Sequence, residues 1–236
     1  MSLGRLLLAA LLSAAAGRTG ATEAPAARSI VVQACWSGAP GGKVHLVTLP
    51  ARRALPLQAQ PGAIVANTVV PGGESFELWV ADAPQARRVA TFEPPSGGRR
   101  FILVLQGDHP AALRAWLVPA DLETFPWGSA CLLNLSDKRL RCRLGDQTTE
   151  VDPGRPGVVP FVAAERSSVH LALDWRDGTK WMPDCATKTI VSPARRFVLV
   201  VGPGLAAQGP LPKDTLVETN PAPVTGPTPL PDPPAK

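Results

Sequence analysis

Arg99-Arg100-Phe101-Ile102-Leu103-Val104-Leu105 returns 96 residues later as Arg195-Arg196-Phe197-Val198-Leu199-Val200-Val201. Each copy is an arginine pair followed by five aromatic, β-branched or leucyl residues, the composition of a strand. A second pair of stretches supports the first. Val44-His45-Leu46-Val47-Thr48-Leu49 is matched, at an offset of 87 residues, by Cys131-Leu132-Leu133-Asn134-Leu135-Ser136, and each is followed by a basic stretch and another apolar run. Self-similarity at two points predicts two copies of one small β unit, the second with longer loops.

Outward from this repeat the chain alternates short Val/Ile/Leu/Phe runs with turn residues. Its 27 prolines and 21 glycines break any helix longer than two turns. Short strands at this spacing predict an antiparallel sandwich or barrel. The expected fold is all-β: two similar antiparallel β-sandwich-like units in tandem, at 29–118 and 127–203, joined by a linker turn at 119–126. From Pro210 to Lys236, 9 of 27 residues are proline and none is aromatic. Such a segment buries too little surface to offset its ordering entropy, so 204–236 is expected to be a disordered Pro-rich tail.

Residues 1–21 read as a secretory signal peptide: Arg5, then Leu6 to Leu12, then small residues, with cleavage after Ala16 or Ala21. No later run reaches the roughly 20 apolar residues of a membrane-spanning helix. The expected location is periplasmic or secreted, with no stable membrane span. Removing Arg5 and Arg18 with the signal lowers the formal charge from +5 to +3. That excess is mild, and the arginine doublets at 52–53, 87–88, 99–100 and 195–196 are dispersed. Nucleic acid, whose binding requires many phosphates to be neutralised together, is not an expected partner. The doublets read instead as charges guarding strand ends and edges.

Two hairpins follow from local pattern. Trp175-Arg176-Asp177-Gly178-Thr179-Lys180-Trp181 centres on Asp-Gly, which suits a type I′ turn, with Arg176 opposite Thr179 and Asp174 opposite Trp181. The other runs from Cys131 to Leu144. Strict alternation in Arg139-Leu140-Arg141-Cys142-Arg143-Leu144 sends the three arginines to water and Leu140, Cys142 and Leu144 to the core. Cys131 then points inward on the outgoing strand. In an oxidising compartment this geometry predicts a Cys131–Cys142 disulfide, with Cys35 and Cys185 as the remaining pair; buried reduced thiols are the alternative.

No GxSxG, HExxH, P-loop or GxGxxG motif occurs, and the three histidines are scattered, so no catalytic residue, metal ligand or cofactor is expected. The tryptophans carry the one binding signal. Trp79 and Trp116 sit within apolar strands and read as core. Trp175 and Trp181 flank a tight turn, with Asp174, Arg176 and Asp177 placed to bond hydroxyls, and form the candidate ligand site. The expected function is a non-catalytic exported binding or structural module of the bacterial cell envelope, its partner an envelope protein or a glycan. The alternative is a carbohydrate-binding or carbohydrate-active protein that uses the Trp175/Trp181 hairpin.

Phe125-Pro126-Trp127-Gly128-Ser129 and Asn134-Leu135-Ser136, followed by Leu144-Gly145 and Pro153-Gly154, resemble a group of uncharacterised exported bacterial proteins with an FP-x-GS…NLS…LG…PG pattern. The resemblance covers about 30 residues of mostly turn chemistry. It implies a β-sandwich fold and an extracytoplasmic location, and transfers no catalytic residue.

Overall fold

Each repeated apolar run is buried on both of its sides. In the computed structural model, Phe101, Leu103 and Leu105 face one core while Ile102 and Val104 face another. In the second copy Leu199 and Val201 face one way, and Val198 and Val200 the other. A strand with apolar residues at every position fits only the middle of a stack. The structure describes residues 29–220 apart from 39, 41, 65–66, 72–74, 82–85, 203–210 and 212, so the expected signal peptide lies outside the described residues.

In the first half the strands are β1 (Ile30–Ser37), β2 (Val44–Thr48), β3 (Ala54–Pro56), β4 (Ala59–Pro61), β5 (Asn67–Val70), β6 (Phe76–Val80), β7 (Arg87–Phe92), β8 (Arg100–Gln106) and β9 (Arg114–Pro119). In the second they are β10 (Ala130–Asn134), β11 (Leu140–Leu144), β12 (Gln147–Val151), β13 (Pro156–Val159), β14 (Ser167–Asp177), β15 (Lys180–Val191), β16 (Arg195–Val201) and β17 (Lys213–Thr219). No described helix is long and apolar enough to cross a membrane.

Four sheets result. Sheet A runs β4-β1-β8-β9, with β5 beside β4 on the same edge of β1; sheet B runs β3-β2-β6-β7. Sheet C runs β13-β10-β16-β17 and sheet D runs β12-β11-β14-β15. The two halves therefore share one strand order, and the fold is all-β with two similar units. They stack in the order B, A, C, D. One core lies between A and B, with Trp36, Leu46, Phe76, Leu78 and Leu103. A second lies between C and D, with Leu132, Leu140, Leu144, Leu173 and Leu199. The third joins the units, with Cys35, Ile102, Val104, Phe125, Leu133, Val200 and Leu216 between A and C. Sheets B and D are wholly antiparallel, whereas β1–β8 and β10–β16 are parallel pairs.

Several expectations are corrected. The counterpart of β2 is β11, so Val44–Leu49 does not correspond to Cys131–Ser136; Cys131 sits on β10, the counterpart of β1. Short apolar strands look alike, and their pattern does not say which neighbour they join. The second unit does not end at 203, because Lys213–Thr219 pairs along β16 as β17, with Leu216 fully buried. Averaging composition over a proline-rich end concealed seven residues with no proline or glycine. The rest of the expected tail, 221–236, lies outside the described residues.

The hairpin from Cys131 to Leu144 does not form. β10 belongs to sheet C and β11 to sheet D, and the chain crosses between them at Asn134. The fully buried Asn134 amide donates to the Lys138 and Val151 carbonyls at 2.7 and 3.0 Å. Its oxygen accepts from the Ser136 backbone N–H and hydroxyl at 3.0 and 2.7 Å. Both donors and both acceptor sites of that amide are used, which fixes the crossing.

The cysteine pairing falls with the hairpin, and all four thiols are free. The alternation argument holds for Leu140, Cys142 and Leu144, all buried. Cys131, however, faces the A–C core while Cys142 faces the C–D core. Cys35 lies in the A–C core and Cys185 packs against the C–D core, so the second pairing fails too. Cys142 and Cys185 flank Leu173 in register, one strand apart on either side. That separation of about 9.6 Å is too wide for a disulfide without backbone movement. Burial pushes the Cys131 and Cys142 thiols up to about 12 and raises Cys35 and Cys185 as well. Titration of the reduced native protein with an aromatic disulfide reagent at pH 8 should modify Cys185 at most. All four thiols should react once the chain is unfolded. Rapid native reaction of two or more would contradict this packing.

The arginine doublets divide their roles. Arg99 and Arg195 are exposed at strand starts, as expected of guarding charges, but Arg196 is fully buried and Arg100 half-buried. Arg196 Nε donates to Glu218 of β17 at 2.7 Å, and its Nη1 donates to the carbonyls of Ala120 and Phe125. Its guanidinium lies between the rings of Phe125 and Trp127, 4.7 and 4.8 Å from their centroids. Gln33 of β1 donates to Glu218 at 2.8 Å, and Arg100 of β8 approaches it at 3.8 Å. Both repeat copies thus direct their second arginine to one glutamate at the joint of the units.

Candidate binding face

The β14–β15 hairpin places the five expected ligand residues, and it divides them. Its turn is Gly178-Thr179, with positive φ at Gly178 alone, so the first turn position is glycine as in a type II′ turn. The register moves accordingly: Asp177 opposes Lys180, Arg176 opposes Trp181 and Asp174 opposes Pro183. This moves the expected partners by two positions, since the chain turns after the aspartate rather than around it.

Along β14, Leu171 and Leu173 are buried and Trp175 packs with them against the C–D core. The alternate residues Asp174 and Arg176 face outward, as does Trp181 across from Arg176. The two indoles lie on opposite sides of the sheet and do not form a joint platform. Asp177 is exposed at the turn. Asp174, Arg176 and Trp181 are brought together, with neighbours from β11 that complete the face.

Asp174 faces water yet is only 4% exposed, because arginines cover it. Arg141 donates to it through Nε at 2.9 Å and Nη2 at 2.7 Å, and Arg143 reaches it at 3.5 Å. The Arg141 guanidinium then stacks on Trp181, 4.6 Å from the ring centroid, with Arg176 at 5.9 Å. Arg139 pairs with Glu150 at 2.9 Å and Asp152 at 3.5 Å. A bulge at Leu173/Asp174 bends the strand beside the acid, the kind of irregularity that re-aims side chains near sites. Alternation in the sequence identified the arginine row as outward-facing; its convergence on Asp174 required the β11–β14 register, which no local pattern carries.

Sheet B repeats these residue types on the opposite outer face. Glu77, 5% exposed on β6, accepts from Arg88 at 2.8 Å and from the Trp79 indole at 2.9 Å, next to a bulge at Leu78/Trp79. Trp79 is therefore a half-buried outer-face residue and not core, whereas Trp116 packs against the A–C core. The hydrogen bond from Arg88, then that from Trp79, lowers the Glu77 carboxyl below its ordinary range. A folded-state value below the unfolded one contributes stability above the unfolded pKa of about 4.3, and that stability is lost as pH falls through the folded value. Glu77→Gln should therefore flatten the decline of melting temperature below about pH 4. An unchanged acid limb would show that this carboxylate is not coupled to folding.

The clefts at the seams hold their polar groups more tightly. One of about 820 Å³ is lined by 96–100 and 121–124, where the Asp121 carboxylate accepts from the Arg99 and Arg100 backbone N–H groups at 3.0–3.1 Å. Another of about 280 Å³ lies at Ser37, Gln106, Lys213 and Asp214; there Asp214 accepts from Gly38 and Lys213 pairs with Asp184. Among the described residues no three His, Cys, Asp or Glu side chains group to hold a metal. No protein-family model matches the chain, and no curated protein matches it.

Proposed function

We propose that the protein is a non-catalytic exported module of the bacterial cell envelope, and that it binds through the outer face of sheet D. The observation that carries this reading is the fixed array of Arg139, Arg141, Arg143, Arg176 and Trp181. Arg141, Arg143, Arg176 and Trp181 are mounted on strands, Arg139 directly precedes β11, and Arg141 is locked by a buried acid. Side chains held on regular strands keep their geometry without ligand, which lowers the ordering cost of association.

The test is retention of the purified chain on immobilised envelope fragments. Retention is expected for the native protein, with at least a tenfold loss for Arg143→Glu at unchanged melting temperature. Equal retention of the variant would move the contact elsewhere, and turnover of any envelope component would overturn the non-catalytic reading. Mass spectrometry of the exported protein should place its N-terminus at Gly17 or Thr22 if the signal reading is correct.

A further inference from the structure

We infer that the outer face of sheet D recognises an acidic glycan, a polymer of carboxylated pyranoses, an inference that rests on the binding-module reading. Three observations carry it. Arg141 and Arg143 alternate along β11 and Arg139 directly precedes it, so the three share the outer face: Arg139 turns to Glu150 and Asp152, whereas Arg141 and Arg143 turn to Asp174. Against Asp174, Glu150 and Asp152, the three arginines together with Arg176 and Lys188, which opposes His170 on β15, leave this face net positive. Arg143 is 51% exposed on its side chain and meets Asp174 only at 3.5 Å, so its fork has donors to offer.

Second, the face already displays how it holds a carboxylate. Arg141 grips Asp174 through Nε and Nη2, both donating to the one oxygen Oδ2, which Arg143 also approaches at 3.5 Å. An arriving uronate carboxylate would meet the same geometry at Arg143. Third, Trp181 rests one side of its indole against the Arg141 guanidinium. Arg176 lies 5.9 Å from the same ring centroid, and the half-buried indole keeps part of its apolar surface exposed, to which the C–H face of a pyranose is complementary. Charge alone would suit any polyanion; an indole set among the arginines selects a charged sugar.

Titration calorimetry of the full mature chain at about 50 mM salt tests the inference with three probes: polygalacturonate, its fully methyl-esterified form and inorganic polyphosphate. Polygalacturonate should bind, and esterification should weaken binding at least tenfold. Trp181→Ala should weaken polygalacturonate at least tenfold while leaving polyphosphate within twofold. Arg143→Gln, at an exposed position that folding does not need, should weaken both and reduce the salt dependence; it carries the test if Trp181→Ala lowers the melting temperature. Absent polygalacturonate binding, equal binding of the ester, or an unchanged affinity in both variants would overturn the inference. Envelope retention that survives such a failure would leave the module reading standing, whereas release of new reducing ends from polygalacturonate would overturn the module reading instead.

Discussion

Replacing Arg196 with methionine should cost about 3–5 kcal/mol of unfolding free energy, as should replacing Glu218 with glutamine. The two side chains are 0% and 5% exposed and bonded at 2.7 Å. Removal of one charge leaves the other inside the A–C joint, with Gln33 and Arg100 facing a neutral amide in place of the carboxylate or Ala120 and Phe125 deprived of their donor. The penalty is the desolvation of a charge with no partner, and it exceeds what the pair contributes net. The double variant should therefore be far less damaged than the sum of the singles, with a coupling of at least 1–2 kcal/mol by urea denaturation. Additive losses would show that the two groups do not act as a pair. Arg99→Met and Arg195→Met, at exposed neighbouring positions, should change stability by less than about 0.5 kcal/mol.

The second large effect concerns the end of the chain. A protein terminated after Gly202 should fail to fold, while one terminated after Asn220 should melt within about 2 °C of the full chain, a shift of less than 1 kcal/mol. β17 pairs with β16 from Arg195↔Thr219 to Val201↔Lys213 and supplies Leu216 and Glu218 to the joint. It also bonds backward into the first unit: Ile64 N–H donates to the Val217 carbonyl, and Val217 N–H donates to the Gly62 carbonyl. Burial of Leu211 and Leu216 alone contributes about 1.5–3 kcal/mol each. With the Glu218 counter-charge added, the loss reaches the whole stability typical of a domain. Soluble, cooperatively melting protein from the shorter chain would show that β17 is dispensable.

The repeat made the all-β class and its duplication legible, because a strand buried on both faces must be apolar throughout and so stands out twice. Outward arginines at 139, 141 and 143, and inward Leu140, Cys142 and Leu144, were equally legible, since period two is a local property. What lay hidden were partners. Cys131 and Cys142 are a dozen residues apart and both inward, yet inward means different cores, because a hydrogen-bonded crossing at Asn134 moves the chain from sheet C to sheet D. Trp175 and Trp181 flank one turn, yet Trp181 opposes Arg176, so period two puts the two indoles on opposite faces of the sheet. Arg100 and Arg196 look like the exposed arginines beside them, and nothing local announces Glu218, 22 residues beyond the second.

The parallel pairing at the centre of each unit sets the order in which the molecule can be made. β1 cannot find β8 until about 70 further residues have been synthesised, nor β10 find β16 until about 65 have. Nascent β1 and β10, paired early with β4, β5 and β13 on one side only, therefore wait with the other edge open, and closure across such separations belongs to the slow range of folding, milliseconds to seconds. The last of the described strands to arrive, β17, is the one that neutralises Arg196. Until Glu218 has left the ribosome the joint between the units carries a cation with no counter-charge, so the second half stays open to chaperones until β17 arrives.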